Sequence, residues 1–290
     1  RDAGKGHRDP SPWHHAAMSG SPAISFITTC KGRLQHLMQS LPTMAAQPGT
    51  ETIVVDYDCP DGSADWVAAH FPAIRVVRVA QQPIFNAARA RNLGAAAATA
   101  PWLCFVDADT LLHPDFAASV LAVAAPGFYY QCVHGRRELA GSVVLPQAAF
   151  ARLQGYDEVL EGWGGEDRDL YHRLERLGLR QPDLPAHLLD TIRHGIDLRT
   201  RFHRIQNPMN AWLINRMYLE VKHGILALTG EDPPTEIRQR IHAEIEAEVF
   251  AAQAASRTAS YTLSEGWRKF MPNHQVQRIL TVRVQPDNTR

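Results

Sequence analysis

Short apolar runs alternate with amphipathic segments through the first half of the chain. Apolar residues that fill or alternate along four to eight positions are typical of buried or half-buried strands. Segments with helical spacing lie between these runs, one of them after Arg33 and another around Asn92. This alternation predicts an α/β fold with a mostly parallel central sheet flanked by helices. The predicted strands lie at residues 24–29, 52–56, 74–79, 103–106, 128–133 and 142–145.

The pattern changes after residue 204, where two longer helices are predicted. Residues 211–221 form the first, and residues 237–255 form the second, which carries its isoleucines and valine on one face. These helices either cover the α/β domain or form a homodimer contact, and the pattern leaves both open. The chain is therefore divided into a leader at 1–20, disordered or left from expression, a catalytic α/β domain at 21–205 and a C-terminal helical extension at 206–290.

A further helix is predicted directly after a glycine-rich segment at residues 162–165. Leucines follow at helical spacing, and Gly178 ends the helix. Glu166 and Asp167 then lie in the first turn, where the helix dipole stabilises their ionised forms. Trp163 offers a flat apolar face of the kind that stacks on a sugar ring, and a carboxylate beside it suits a general base. Acidic residues are also common at helix starts for purely structural reasons.

Two aspartates, Asp107 and Asp109, follow the apolar run at 103–106. In extended geometry residues i and i+2 point to the same side, so both carboxylates face one spot at the carboxyl end of the strand, where open α/β sheets bind ligands. Carboxylate oxygens suit Mg²⁺ or Mn²⁺, which also take phosphate oxygens. The neutral imidazole of His194 is a candidate for another position around such an ion. A lone histidine is more often a surface or hydrogen-bonded core residue.

These elements, in this order, resemble an inverting glycosyltransferase with the GT-A nucleotide-sugar-binding fold. The branch that it resembles includes the β-1,4-galactosyltransferases and the bacterial chondroitin-type polymerases. The likeness covers about residues 24–204, and the Trp-Gly-Gly-Glu-Asp element is its most specific part, since many sugar transferases share the Asp-x-Asp element. The matching segments lie at residues 85–94, 105–109, 162–167 and 192–194.

The resemblance implies a UDP-sugar donor and a Mn²⁺ or Mg²⁺ cofactor. Asp109 and His194 would hold the metal, and Asp107 would contact the ribose or the donor sugar. Thr191 occupies the position of a methionine ligand in vertebrate relatives, which leaves the metal preference open. Arg89 and Arg91 would contact the nucleotide and its phosphates, although they also fit as solvated helix residues. Asp56 or Asp58 would contact the base or the ribose. The implied donor-binding residues are Asp56, Asp58, Arg89, Arg91, Asp107 and Asp109.

On the acceptor side the resemblance makes Asp167 the catalytic base, with Glu166 beside it. The sugar that is transferred would be Gal, GalNAc, GlcNAc or similar, and the acceptor a glycan, a lipid-linked sugar, a peptide or a small molecule. Arg168 departs from the more acidic family pattern and bears on acceptor choice. The implied acceptor-binding and sugar-binding residues are Trp163, Gly164, Gly165, Glu166 and Arg168.

Two other functions remain open from the residues. A retaining enzyme of the polypeptide N-acetylgalactosaminyltransferase type shares a similar Trp-Gly-Gly-Glu element, but that family typically has asparagine where this chain has Asp167. The chain could also be a non-catalytic scaffold or partner protein that keeps a nucleotide-sugar fold. The four intact residues Asp107, Asp109, Asp167 and His194 disfavour that interpretation.

Composition and charge bear on the possible partners of the protein and on its cellular compartment. Thirty basic and 30 acidic side chains give a net charge of zero with neutral histidines, so nothing points to a nucleic-acid partner. No apolar run approaches membrane-spanning length. The cysteines lack metal-binding spacing and are interpreted as reduced thiols, so we expect a cytoplasmic enzyme. These cysteines are Cys30, Cys59, Cys104 and Cys132. Animal members of the family that the chain resembles carry a membrane anchor, and the apparent lack of one here favours a bacterial enzyme.

Overall fold

The computed structural model describes residues 20–195, 197–262 and 279–281. The predicted leader, apart from Gly20, lies outside the described residues. Ten strands are described, and six of them form the central sheet in the order β3-β2-β1-β4-β7-β6. The strands are β1 Ile24–Cys30, β2 Thr50–Tyr57, β3 Arg75–Val79, β4 Trp102–Phe105, β5 Thr110–Leu112, β6 Tyr130–Gln131, β7 Val143–Pro146, β8 Leu189–Thr191, β9 Ser260–Thr262 and β10 Ile279–Thr281.

Four neighbouring strands of the sheet, β3, β2, β1 and β4, run parallel. At one edge β7 pairs antiparallel with β4, and β6 pairs antiparallel with β7. The predicted α/β fold with a mostly parallel sheet is therefore confirmed. The parallel strands end at one edge, where Cys30 pairs with Asp56 and Val106 donates its N–H to Ile27. The predicted strand at 128–133 is reduced to the two residues of β6.

The predicted helices are present, although the one predicted at 211–221 is observed over Pro208–Thr229. Helix α6 begins at Glu166, as predicted from the glycine-rich segment, and Gly178 follows its end with φ +87°. Two 3₁₀ turns, Arg137–Leu139 and Ala186–Leu188, complete the helical structure of the described residues. The α-helices are α1 Leu34–Ala45, α2 Ser63–His70, α3 Ala87–Ala96, α4 Phe116–Val123, α5 Gln147–Arg152, α6 Glu166–Arg176, α7 Asp197–Thr200, α8 Pro208–Thr229 and α9 Thr235–Ala254.

Contacts divide the chain into two compact units whose limits differ from the predicted boundary at residue 205. Of the described residues, the first unit contains 20–83 together with Arg89–Tyr156 and Leu170–His194. The second contains Ile84–Ala88, Asp157–Asp169 and the described residues from Gly195 to Thr281. The glycine-rich segment with Trp163 thus groups with the C-terminal helices, because its contacts are made with them.

Each unit has its own apolar core. The core of the first unit is made by the sheet and the helices on it, with Ile24, Phe26 and Trp102 among its fully buried side chains. The core of the second unit joins α8 to α9 through side chains such as Met217 and Ile245. None of the helices in the part of the chain that the structure describes is long and apolar enough to cross a membrane.

Candidate active site

A two-stranded ribbon brings together two predicted metal ligands that lie 85 residues apart in sequence. Strands β5 and β8 pair antiparallel with Thr110 opposite Thr191, and the carbonyl of Asp109 accepts the N–H of Ile192 at 2.7 Å. Three residues beyond β8, His194 directs its Nε2 to Oδ2 of Asp109 at 2.5 Å. The ribbon register therefore places an imidazole nitrogen against the second aspartate of the Asp-x-Asp element.

The surroundings of this pair are buried and cationic. The side chains of His194 and Asp109 are 3% and 10% exposed. Arg33, at the start of α1, places Nη1 at 3.3 Å from the same Oδ2 of Asp109. The ring of His36 lies 5.1 Å from that of His194, and burial, then His194 and Arg33, lower the pKa of His36. Arg33 and His36 were not predicted as site residues, because their only signal in the sequence was a position after the first strand.

The donor set fits a divalent cation. One carboxylate oxygen and one imidazole nitrogen at hydrogen-bond distance could both turn their lone pairs to one Mn²⁺ or Mg²⁺. Among the described residues, no group of three or more histidine, cysteine, aspartate or glutamate side chains converges in a way that could hold a metal. The remaining positions around an ion would therefore fall to oxygens of a ligand and to water.

Asp107 is oriented by Arg91, an arginine that the sequence left open as either a donor-binding residue or a solvated helix residue. Arg91 Nη2 donates to Asp107 Oδ1 at 2.9 Å, and the arginine side chain is only 7% exposed. Its guanidinium also lies over the ring of Tyr156, 5.3 Å from the centroid. A Cβ at Gly141 would come within 2.7 Å of Asp107 Oδ2, so a side chain there would displace that carboxylate oxygen. Arg91 is thus a buried partner of Asp107 and not a solvated helix residue, whereas Arg89 on the same helix is exposed.

The two aspartates predicted near the nucleotide base have different environments. Asp56 is 8% exposed; its Oδ1 accepts the N–H of Cys59 at 2.9 Å, and its Oδ2 accepts Ser63 Oγ and the N–H of Ala64, both at 2.7 Å. It therefore satisfies open donors at the start of α2. Asp58 has φ +53° and an exposed side chain. Of the two, Asp58 is the one that a ligand could reach.

Lys31 holds the carboxyl end of β2 in place, a role that the sequence analysis did not predict. Its side chain is 4% exposed, and Nζ donates to the carbonyls of Tyr57, Asp58 and Gln82 at 3.1, 2.9 and 2.7 Å. All three hydrogens of the ammonium group are thereby used. The lysine ties the end of β2 to the segment that follows β3. A lysine directly after a buried strand was its only signal in the sequence.

In the second unit, the glycine-rich segment packs directly on α8. Gly162 has φ +79°, and a Cβ there would lie 2.8 Å from the Cβ of Ala211. Gly165 has φ +111°, and its added Cβ would lie 3.2 Å from the Cβ of Asn215. Both glycines are thus required for backbone conformation and for close approach. Trp163, Gly164, Glu166 and Asp167 are half-buried, and Arg168 is exposed.

Asn215 holds the backbone of this segment in place. Its Nδ2 donates to the carbonyls of Glu161 and Gly164 at 2.9 and 2.6 Å, and its Oδ1 lies 3.0 Å from Nε2 of His242. Because Nδ2 is the donor to the carbonyls, Oδ1 is an acceptor, and the proton of the imidazole must lie on Nε2. Burial lowers the pKa of His242, so this histidine is neutral.

A buried lysine anchors the same segment at both ends. Lys222 is fully buried, and its Nζ lies 2.9 Å from Asp157 Oδ2 and 2.7 Å from Asp169 Oδ1. Tyr218 donates its hydroxyl to Asp157 at 2.6 Å, and Arg238 pairs with the other oxygen of that carboxylate. Burial alone would raise the pKa of Asp157, but the charges of Lys222 and Arg238 outweigh burial and hold the pKa below its ordinary value. Residues 157–169 are therefore part of the helical unit.

We expect acid to destabilise the protein through His242. In the unfolded chain this histidine titrates near its ordinary pKa of 6.5, whereas the folded protein resists protonation there. As the pH falls below about 7, the unfolded state takes up the proton first, so the free energy of unfolding decreases. Denaturant titrations between about pH 7 and pH 5 measure this slope. His242→Gln, which keeps a donor toward Asn215, should flatten it, and an unchanged slope in this variant would contradict the assignment.

Family comparisons agree with this geometry. Residues 25–146 match the family described as glycosyl transferase family 2, and residues 121–198 match the N-terminal domain of galactosyltransferase. The fold resembles that of a mannosyltransferase from Pyrobaculum calidifontis in complex with GDP-Man and Mn²⁺. That likeness has a TM-score of 0.53 at 20% identity, over 87% of this chain and 79% of the other.

Curated relatives are glycosyltransferases as well. A validoxylamine A glucosyltransferase from Streptomyces hygroscopicus is 27% identical over 56% of this chain and 54% of its own length. The mouse β-1,4-galactosyltransferase 2 is 27% identical over 46% of this chain and 41% of its own. This chain spans about half the length of the curated glucosyltransferases that it matches. Two adjoining parts of the chain are therefore similar to family 2 glycosyltransferases and to galactosyltransferases, and the fold is of the GT-A type.

The predicted site residues fall into two groups. Within the first unit, Asp107 pairs with Arg91 and Asp109 pairs with His194. Residues 163–167 belong to the second unit, where Asn215 and Lys222 hold the segment that contains them. Neither Asn215 nor Lys222 was predicted, because on a helix each has the same local pattern as any other core-facing residue.

Proposed function

We propose that the protein is a metal-dependent inverting glycosyltransferase that moves a hexose or N-acetylhexosamine, such as Gal, GalNAc or GlcNAc, from a UDP-sugar to an acceptor hydroxyl. The observation that carries the proposal is the buried pair of Asp109 and His194, with Arg33 beside it, next to the end of β4 in a GT-A sheet. Ligands of open α/β sheets bind at the carboxyl ends of the strands.

On the donor side, Asp109 and His194 would hold Mn²⁺ or Mg²⁺. When bound, the metal neutralises negative charge on the diphosphate leaving group. Arg33 adds a guanidinium that lies 3.3 Å from the same carboxylate, so it strengthens the positive field for a diphosphate. Asp107, oriented by Arg91, is suited to accept a hydroxyl of the ribose or the sugar. Asp58 is our choice for the contact to the base, because the oxygens of Asp56 are already occupied.

On the acceptor side, Asp167 is the proposed base. Inversion requires a single displacement in which the acceptor oxygen attacks the anomeric carbon as its proton passes to a carboxylate. Asp167 lies in the first turn of α6, where the helix dipole favours the ionised carboxylate that a base must be. Trp163 would stack on a sugar ring, and Glu166 would accept hydroxyl donors. A glycan, lipid-linked sugar, peptide or small molecule could supply the hydroxyl.

The names of the relatives support a sugar-transfer reaction with a nucleotide donor. The solved mannosyltransferase holds GDP-Man and Mn²⁺, and the mouse relative is a galactosyltransferase. Product stereochemistry separates our proposal from a retaining reaction. With an α-linked UDP-sugar, proton NMR of the initial product should show a β linkage. An α linkage would exclude the single displacement and favour the retaining alternative.

We expect Asp109→Asn to abolish metal-dependent UDP binding. Loss of neighbouring hydrogen-bond partners of metal ligands commonly costs 10- to 100-fold in metal affinity, so loss of a ligand should cost about 100-fold or more. Calorimetric titration of UDP, first with Mn²⁺ and then with a chelator, measures this. Asp115→Asn, at a carboxylate that is 76% exposed, is the matched control and should bind as the wild type does. Equal UDP affinity in the Asp109 variant would refute the donor site.

A further inference from the structure

Two cysteines lie side by side where β1 and β2 end. The Sγ atoms of Cys30 and Cys59 are 3.8 Å apart, and both residues are free thiols. Cys30 is fully buried, whereas Cys59 is partly exposed. A disulfide needs the two sulfurs at about 2.05 Å, so an approach of less than 2 Å would join them. Cys59 is therefore the thiol that a reagent meets first, and Cys30 lies behind it.

The contacts of Cys59 favour its thiolate. The backbone N–H of Gly32 donates to Cys59 Sγ at 3.2 Å. The backbone N–H of Cys59 itself is held by Asp56 Oδ1, which fixes the turn. The hydrogen bond from Cys30 is the main cause that lowers the pKa of Cys59 to about 5, and the same contact raises the pKa of Cys30 well above its ordinary value. These contacts favour a thiolate on Cys59 beside a protonated Cys30.

The other two cysteines of the chain lack these features. Cys104 is 1% exposed, and burial raises its pKa well above the ordinary value. Cys132 is also 1% exposed; burial raises its pKa to about 11, and its Sγ donates to the carbonyl of Pro185. These two thiols are internal controls, because they share the chain and the conditions but have protonated, buried sulfurs.

We propose that Cys59 is a modification site whose thiolate reacts with hydroperoxides and that Cys30 then converts the product into a Cys30–Cys59 disulfide. The Cys59 sulfur attacks one peroxide oxygen, the O–O bond breaks, and the departing hydroxide takes a proton to become water. The sulfur of Cys30 then attacks the sulfur of the resulting sulfenic acid, the S–O bond breaks, and the hydroxide that leaves takes the proton of Cys30. In total two thiols and one hydrogen peroxide give one disulfide and two waters.

This modification would act on the UDP-binding site, and this part of the inference rests on the proposed function. Cys59 directly follows Asp58, and Lys31 next to Cys30 holds the carbonyl of Asp58 at 2.9 Å. Shortening the Sγ–Sγ distance from 3.8 Å moves the turn that carries Asp58. Oxidation should therefore weaken UDP binding by at least about threefold.

Peptide mass spectrometry of the native protein treated with hydrogen peroxide tests the site itself. We expect a peptide pair joined through Cys30 and Cys59, two hydrogens lighter than the free thiols and restored by dithiothreitol. In Cys30→Ser the sulfenic acid of Cys59 should persist and be trapped by dimedone, whereas Cys59→Ser and Cys59→Ala should show neither product. Circular dichroism of each variant checks that it is folded. No disulfide in the wild type, or dimedone labelling of Cys132 equal to that of Cys59, would overturn the proposal.

Alkylation provides a second measurement that does not need an oxidant. At pH 6.5 iodoacetamide should modify Cys59 about 100-fold faster than Cys132 in the native protein. Calorimetry of UDP and Mn²⁺ with the reduced and oxidised protein then tests the coupling, with Cys104→Ser as the control variant. A disulfide that leaves the UDP affinity unchanged would overturn the link to the donor site. Absence of UDP binding by the reduced protein would instead refute the proposed function, and the peptide masses would still decide the modification site.

Discussion

Asp167→Asn is expected to lower the rate of sugar transfer by about 10²- to 10⁴-fold, the range that a positioned general base contributes. The amide keeps the shape of the side chain at the start of α6 but cannot take the proton of the acceptor hydroxyl. Donor binding should stay intact, because the proposed metal ligands are Asp109 and His194, and Asp167 is proposed to contact the acceptor. The variant should therefore bind UDP and Mn²⁺ normally while its turnover falls.

Turnover is measured as the UDP that is released during sugar transfer. The donor and the acceptor are those that a screen of UDP-sugars identifies. Glu158→Gln is the matched control, since Glu158 is an exposed carboxylate in the segment that leads to Trp163, and it should keep wild-type turnover. Turnover of the Asp167 variant within about threefold of wild type would remove the base assignment. A loss of UDP binding in parallel with turnover would instead show that Asp167 supports the donor site.

Lys222→Met is expected to have the largest effect on stability, a loss of about 3–5 kcal/mol in the free energy of unfolding. Lys222 is fully buried between Asp157 and Asp169, so its removal takes a buried cation from the carboxylate of Asp169, which keeps its contact with His223. Asp157 keeps Arg238 and Tyr218. The segment 157–169, which carries the proposed base, should loosen together with the helices that hold it.

Urea denaturation followed by circular dichroism measures the change. Arg216→Met is the control on the same helix, because Arg216 is exposed and should cost less than about 0.5 kcal/mol. Combining Lys222→Met with Asp169→Asn removes the buried charge that has lost its lysine and should recover part of the loss. A cost below about 1 kcal/mol for the single variant would mean that the buried pair does not hold the segment.

Elements with a local signature were determined by the sequence itself. Apolar runs placed β1, β2 and β4 within two residues of their observed bounds, and the glycines before Glu166 fixed the start of α6. The Asp-x-Asp element was visible for the same reason, since strand geometry requires only neighbouring residues. Burial periodicity and helix capping are properties of a few consecutive positions, which is why one sequence is enough to predict them.

Contacts between distant segments were decided by the tertiary structure. The register of β5 with β8 brings His194 to Asp109, and packing assigns Arg91 to Asp107 while Arg89 remains exposed. Folding also buries Lys222 among carboxylates and assigns the glycine-rich segment to the helical unit. A lysine or arginine in a helix has the same local pattern whether it faces water or a buried carboxylate. Which of these it meets depends on strand register and core packing, which join residues far apart in the sequence.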